Sequence, residues 1–392
     1  MAQRINTNRL YSETKLFSQG IAADEFTFVA ADARGPDGST NPSAGAEEQC
    51  LQTLQNLRSA LNSVGQDLQN LVSVIVFLPS YFDADGVATT LQTNLSTAQS
   101  GPAITLVGVC GLEGNCRVRI DAIATRHRNQ IQPILLDNFP LTTGARCHGV
   151  HAHDFIFLSG VDAADGQGKV PAPVTIQSQT KVVLNRIETI LKDQKLSLSD
   201  LCRTFMFMPS TEYRPGYGEA RKAVYKGIFA EDEFPPNSGI YIRDLGHGIL
   251  LRSVAVAYAG KKTIVASPKV RKAPGSFSQS VRVGDWLLMA GQDAVGFNRT
   301  VEAEGDLAGQ TQVTLQHIQD IVEEGGGSLD DVVKTTVYLV AGQDRSTFSA
   351  AYQKFFDANK RHLSMPAGLT VEVRELSPRC LIEIDAVALL RD

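Results

Sequence analysis

The chain lacks several features that would decide its class at once. No run of apolar residues is long enough to span a bilayer. The opening MAQRINTNRLYSETKLF has no apolar leader core, so a cytoplasmic protein is expected. There is no basic excess: 37 Lys and Arg stand against 42 Asp and Glu, a net charge of −5, which argues against nucleic acid as a partner. The six cysteines form neither a CxxC pair nor a regular framework. Reduced thiols are expected, with Cys50 and Cys202 on apolar faces in the core. No GxSxG elbow, Walker loop or dinucleotide glycine motif occurs, and no cofactor is implied. What remains, 43% hydrophobic and 20% charged, is an ordinary soluble globular composition.

What is present is repetition. LQNLVSVIVFLPS at Leu68–Ser80 returns as LSDLCRTFMFMPS at Leu198–Ser210 and as LDDVVKTTVYLVA at Leu329–Ala341. IDAIA at Ile120, SVAVA at Ser253 and IDAVA at Ile384 keep the same spacing. A period of about 130 residues fits a small domain rather than a solenoid unit. Three homologous domains, 1–128, 133–260 and 269–392, are expected.

Each repeat reads as a hairpin, an amphipathic helix, an apolar strand, a second helix and two closing strands, an α+β unit of order ββαβαββ. In the first, Leu51, Leu54, Leu57 and Leu61 stripe a helix over 47–64, with Gly65 at its C-cap. In the second, the second helix is expected over Gly218–Phe229. Segments 126–133 and 261–267 read as short links. Two helices cover one face of such a sheet. The other face is mixed: in RVRIDAIA, Arg117, Arg119 and Asp121 point opposite to Val118, Ile120 and Ala122. Three units around an axis cover one another's bare faces, so a closed ring within a monomer is expected, with further assembly optional.

The third repeat's FSQ hairpin followed by MAGQ, and its DDVVKTTVYL, AYQKFF, PAGLTVEV and IEIDAVA, resemble the Rid (YjgF, reactive intermediate deaminase) family. FLSG and FPPNSGIYI in the second repeat strengthen the resemblance. It implies three tandem Rid/chorismate-mutase-like domains forming an intramolecular pseudo-trimer with three non-identical clefts. The implied chemistry is hydrolysis of an imine or enamine to a carbonyl compound and ammonia. The family's carboxylate-gripping arginine falls on Ile104, Asn237 and Gly368, and its hairpin tyrosine on Phe17, Arg146 and Phe277. Its Ser-Gly falls on Ala30-Ala31, Ser159-Gly160 and Ala290-Gly291, and its final-strand glutamate on Arg119, Arg252 and Glu383. No repeat carries the full set.

The function expected is a hydrolase or deaminase of a C=N or amide-like bond in a small anionic or oxo-rich substrate. The alternatives are a chorismatase-like enol-ether enzyme and a non-catalytic ligand-binding or scaffold protein. Glu383, a carboxyl in an apolar strand, is the expected acid–base group; a structural ion pair is the competing reading. Ser159 and Gly160 are expected to stabilise an oxyanion. Arg119, Arg252, Arg146 and Gly291 are expected to bind substrate, although the first two would serve equally as inter-domain glue. No further ligand with metal spacing follows Cys147, His148, His151 and His153, and HAHD aligns with the hairpin tips AADE and RVGD, so no metal is expected.

Overall fold

The computed structural model describes residues 2–8, 10–11, 16–96, 101–246, 248–272, 274–359 and 365–391. The first repeat runs β1 (Gln3–Ile5), β2 (Gly20–Ala23), β3 (Phe26–Asp32), α1 (Ala46–Asn62), β4 (Leu71–Leu78), α2 (Ala84–Leu95), β5 (Ala103–Gly108) and β6 (Arg119–Thr125). The second runs β7 (Ile131–Ile134), β8 (Gly149–Ala152), β9 (Phe155–Leu158), α3 (Ile176–Asp193), β10 (Leu201–Met208), α4 (Arg214–Tyr225), β11 (Asn237–Tyr241) and β12 (Arg252–Tyr258). The third runs β13 (Lys262–Val265), β14 (Ser280–Val283), β15 (Trp286–Met289), β16 (Gln292–Asp293), α5 (Leu307–Glu324), β17 (Val332–Val340), α6 (Arg345–Asn359), β18 (Ala367–Val373) and β19 (Ile382–Leu389).

The three sheets share one strand order, β1-β2-β3-β6-β4-β5 and its two counterparts. In each, the last two strands of that order pair in parallel and the other neighbours are antiparallel. The recurring LxxL stretch has a local cause. Asp67 with Asn70, Ser197 with Asp200 and Ser328 with Asp331 form reciprocal capping boxes on a single helical turn, which launches the central strand. Gly65, at φ +76, lets the chain leave α1 in a left-handed turn.

Two expectations are corrected. The segments read as links are partly strands: β7 pairs with β8 and β13 with β14, as β1 pairs with β2, and each extends the sheet that follows it. And α4 begins at Arg214, four residues before the expected start, because Pro215 is tolerated in a first helical turn, where no N–H bond is required.

Helices cover one face of each sheet and form three separate cores. The opposite faces meet each other. Phe26, Phe28, Phe155, Phe157, Trp286 and Leu288, two from each repeat, form one shared apolar core. A second shared core joins Phe77 and Val107 to Phe205 and Ile240 and to Tyr338 and Leu369. The contacts close cyclically. Cys110 N–H donates to Glu372 O at 2.8 Å, Arg243 N–H to Gly108 O at 2.9 Å and Arg374 N–H to Tyr241 O at 2.8 Å. Each repeat thus donates to one neighbour and accepts from the other, the pattern of a pseudo-threefold ring. Charge on the inner faces is paired across repeats, Lys334 with Asp121 at 2.6 Å and Arg203 with Asp385. No described helix is long and apolar enough to cross a membrane.

Candidate active site

The ring has three equivalent clefts, one at each repeat boundary, and an aspartate stands in each. Asp32 lies opposite Arg119 in the β3–β6 pair, and Asp293 opposite Glu383 in the β16–β19 pair. Asp162 is ion-paired to Arg252 at 2.7 Å. Behind each aspartate, a polar side chain of the repeat's first helix holds the loop. Asn56 Nδ2 donates to Asp32 O (2.7 Å), Arg186 Nη1 to Asp162 O (2.6 Å) and His317 Nδ1 to Asp293 O (3.0 Å). Burial lowers the pKa of His317, which favours its neutral form.

Between repeats one and two the cleft is filled by Arg252, and a pocket of about 10 Å³ beside it is lined by repeat two alone. Arg252 is 1% exposed and fully engaged. Its Nε and Nη2 donate to Asp162, and its Nη1 donates to Tyr81 Oη and Leu106 O, both at 2.7 Å. Ser159 Oγ donates to Cys147 O (2.8 Å) and accepts from Ile104 N–H (3.2 Å). The backbone N–H groups of Ser159 and Gly160 donate to His148 O and Ile104 O, so neither is open to an oxyanion. A Cβ on Gly160 would lie 2.9 Å from Thr105 and 3.1 Å from Arg252, a close approach that explains the glycine. Arg146 is exposed, outside the residues lining the three clefts. His148 accepts from Leu136 N–H at Nδ1 and donates to Phe139 O from Nε2, and His153 bonds Thr125 Oγ1. Both rings are occupied by structural contacts.

The cleft between repeats one and three encloses about 50 Å³. Asp32 is gripped by Arg34 at 2.6 Å, and Arg119, 3.8 Å from the same carboxylate, donates to Thr370 O. Phe17 packs edge-on against Tyr352 and covers Gly368, where a Cβ would meet its ring at 2.5 Å.

Between repeats two and three the same architecture is open, with a cavity of about 370 Å³. Arg214, Tyr217 and Arg221 of α4 and Asn237, Gly239 and Tyr241 of β11 form one wall; Arg271, Phe277, Gly291, Asp293, His317 and Glu383 form the other. Glu383 takes the position of Arg119 and Arg252 but reaches less far. Its carboxyl makes no hydrogen bond or ion pair among the described residues, and Arg271 pairs with Asp293 instead, at 3.0 Å. Burial, and then the charge of Asp293, raise the Glu383 pKa well above 4.5; Arg214 and Arg271 oppose the rise. A carboxyl whose protonated form is favoured by burial therefore stands beside the Asp293–Arg271 salt bridge. Gly291 leaves room for it: a Cβ there would lie 2.0 Å from Glu383 Oε1. The Gly291 N–H donates to Ser238 Oγ, which in turn donates to Asp385.

Of the residues singled out from sequence, Glu383 and Gly291 share the open cavity; Ser159, Gly160 and Arg252 share a closed cleft, and Arg119 lies in the other. Arg214, Tyr217, Arg221, Arg271 and Asp293 escaped the sequence reading. One signal was available. Superposing the repeats puts Arg221 where α2 has Leu91 and α6 has Tyr352, both fully buried, so a charge sits on an apolar helix face.

Known proteins extend this picture. A family model described as Endoribonuclease L-PSP matches residues 7–126, 138–259 and 269–390. A RutC family protein of Pyrococcus abyssi is 35% identical over 127 residues, 32% of this chain and 96% of that protein. A 2-iminobutanoate/2-iminopropanoate deaminase of Escherichia coli K12 is 34% identical over 127 residues, 32% of this chain and 97% of that enzyme. The crystal structure of a chorismatase superposes with a TM-score of 0.61 at 14% identity, covering 94% of this chain and all of that one, a likeness of fold.

Proposed function

The chain belongs to the Endoribonuclease L-PSP family, three times over, and from that premise we propose that it is a hydrolase of a small C=N or amide-like substrate, working in the cleft between repeats two and three. The observation that carries this reading is the buried, unpaired Glu383 carboxyl facing a 370 Å³ cavity, while the two equivalent clefts are closed by Arg252 and Arg119. A neutral carboxyl is a general acid, whereas an arginine does not titrate. In imine hydrolysis Glu383 protonates the nitrogen as water adds to the carbon; its carboxylate takes a proton from the added water and passes it to the amine, and as the C–N bond breaks to release ammonia the carboxylate recovers the hydroxyl proton, leaving the carbonyl product. Asp293 is held beside it by Arg271.

The family description names RNA cleavage; a cavity of this size and a net charge of −5 support a small molecule instead. The E. coli relative is named for 2-imino acids. Here Asn237 occupies the arginine position in the open cleft, so turnover of 2-iminopropanoate well below that of an ordinary Rid deaminase is expected. Ammonia release from imines generated by an amino-acid oxidase measures it. On whichever imine the chain does turn over, E383Q should lower the rate about 100-fold or more without unfolding. Unchanged turnover in folded E383Q removes Glu383 from the mechanism.

A further inference from the structure

The open cavity holds three guanidinium groups and one carboxylate already committed to a partner. Arg271 is paired with Asp293. Arg214 lines the cavity and makes no hydrogen bond or ion pair among the described residues. Arg221 is 4% exposed, yet no acidic side chain among the described residues pairs with it. Its Nη1 donates to Tyr217 Oη at 2.8 Å, and its Nε is buried without a hydrogen-bond partner. The Nε–Nη2 edge, the side of a guanidinium that takes a carboxylate with two parallel bonds, therefore takes no hydrogen bond among the described residues. The rings of Tyr217, Tyr225 and Phe277, 4.9, 5.9 and 5.9 Å from the guanidinium carbon, partly offset the cost of burying this cation. Rings alone do not satisfy its N–H groups.

Arg214 and Arg221 are seven residues apart on α4, so they share a face of the helix, separated by about 10 Å of helical rise. Tyr217 lies between them. Arg214 stands close enough to Glu383 to act on its charge, which sets one anchor beside the acid and the other deeper along the helix. Two unpaired cations in one cavity call for two negative charges on its occupant.

Resting on the reading of this cleft as the active site, we infer that the substrate is a small dicarboxylic acid, one carboxylate held bidentately by Arg221 and the other by Arg214. The two arginines act as a ruler along α4, and the bond to be hydrolysed lies at the Arg214 end, under Glu383.

Isothermal titration of the full chain with linear dicarboxylates from succinate to suberate, their matched monocarboxylates and inorganic phosphate tests this. At least one dicarboxylate should bind about 10- to 100-fold more tightly than its monocarboxylate, the scale of one charge-assisted contact. R221L, which installs the residue repeat one carries at Leu91, and R214Q should each abolish that preference, whereas E383Q should keep it. Equal binding of mono- and dicarboxylates, tighter binding of phosphate than of every dicarboxylate, or a preference that survives both arginine substitutions overturns the inference. If R221L does not fold, R214Q decides by the same criterion. The functional reading fails separately. A dicarboxylate preference with turnover indifferent to E383Q leaves this inference and removes the hydrolase, and E383Q-sensitive turnover without the preference does the reverse.

Discussion

The cleft between repeats one and two and the cleft between repeats two and three are built from the same elements in the same order, yet Arg252 fills the first and the second encloses about 370 Å³. The difference begins at one position of the last strand. Arg252 spans its cleft and satisfies Asp162, Tyr81 and Leu106 of two repeats at once. Glu383 is shorter and carries no positive charge, so it cannot answer Asp293, and Arg271 comes from the segment before β14 to do so. Around it, Arg221 replaces Leu91, and Gly291 keeps the carboxyl's space clear. In a homotrimer every cleft changes together. A fused chain can give some interfaces to stability and another to chemistry.

The largest effect should come from breaking a closed cleft. R252A leaves Asp162 buried without its counter-charge and should cost about 3–5 kcal/mol of stability, read by denaturant unfolding. A variant as stable as the parent would mean that the pair does not hold the repeats together. Next are the two cleft glycines. G291A forces a methyl against the Glu383 carboxyl and should lower kcat roughly 10- to 100-fold, the cost of misplacing a catalytic group by about 1 Å. G160A crowds Thr105 and Arg252 and should cost about 1–3 kcal/mol of stability with turnover kept. Equal effects of the two on kcat would erase the distinction between the clefts.

A third comparison uses pH. The folded protein holds the Glu383 proton more tightly than the unfolded chain, whose carboxyl titrates near 4.5. The contribution of Glu383 is therefore intact below that pH. It is lost at about 1.4 kcal/mol per unit as pH rises toward the raised folded value. E383Q, shaped like the protonated acid, escapes this loss. It should melt with the parent at pH 4 and above it at pH 8; parallel melting curves across that range would show that the carboxyl is not held protonated. The smallest effect belongs to S159A, which removes two hydrogen bonds worth about 1 kcal/mol each and should leave turnover unchanged. A loss of rate would restore Ser159 to the chemistry.

Much of the fold was legible because packing patterns repeat. Leu54, Leu57 and Leu61 of α1, the apolar central strands and the alternation in RVRIDAIA announced three sheets, each with one face covered by helices, while Leu51, read into the same stripe, is exposed. Local chemistry misled at α4, whose first turn with Pro215 and Gly216 fell outside the expected Gly218–Phe229, and in the links, where short strands carry little periodic signal. The α4 error mattered for function: with the helix begun too late, Arg214 and Tyr217 fell outside it and Arg221 lost its two companions. Ser159 and Gly160 matched a family pattern, but a pattern does not report whether an N–H is already paired.

By itself the sequence determined three like units, a bare face on each that had to be covered by the others, and one carboxyl where the other repeats have arginines. Those follow from periodicity and residue type, which are local properties. Only the tertiary structure decided which cleft stands open and which cations meet in it. Arg214 and Arg221 come from repeat two and Arg271, Asp293 and Glu383 from repeat three, so the charges of one cavity are brought together from two repeats. A buried charge takes its meaning from its neighbours, and those are set by the closure of the ring.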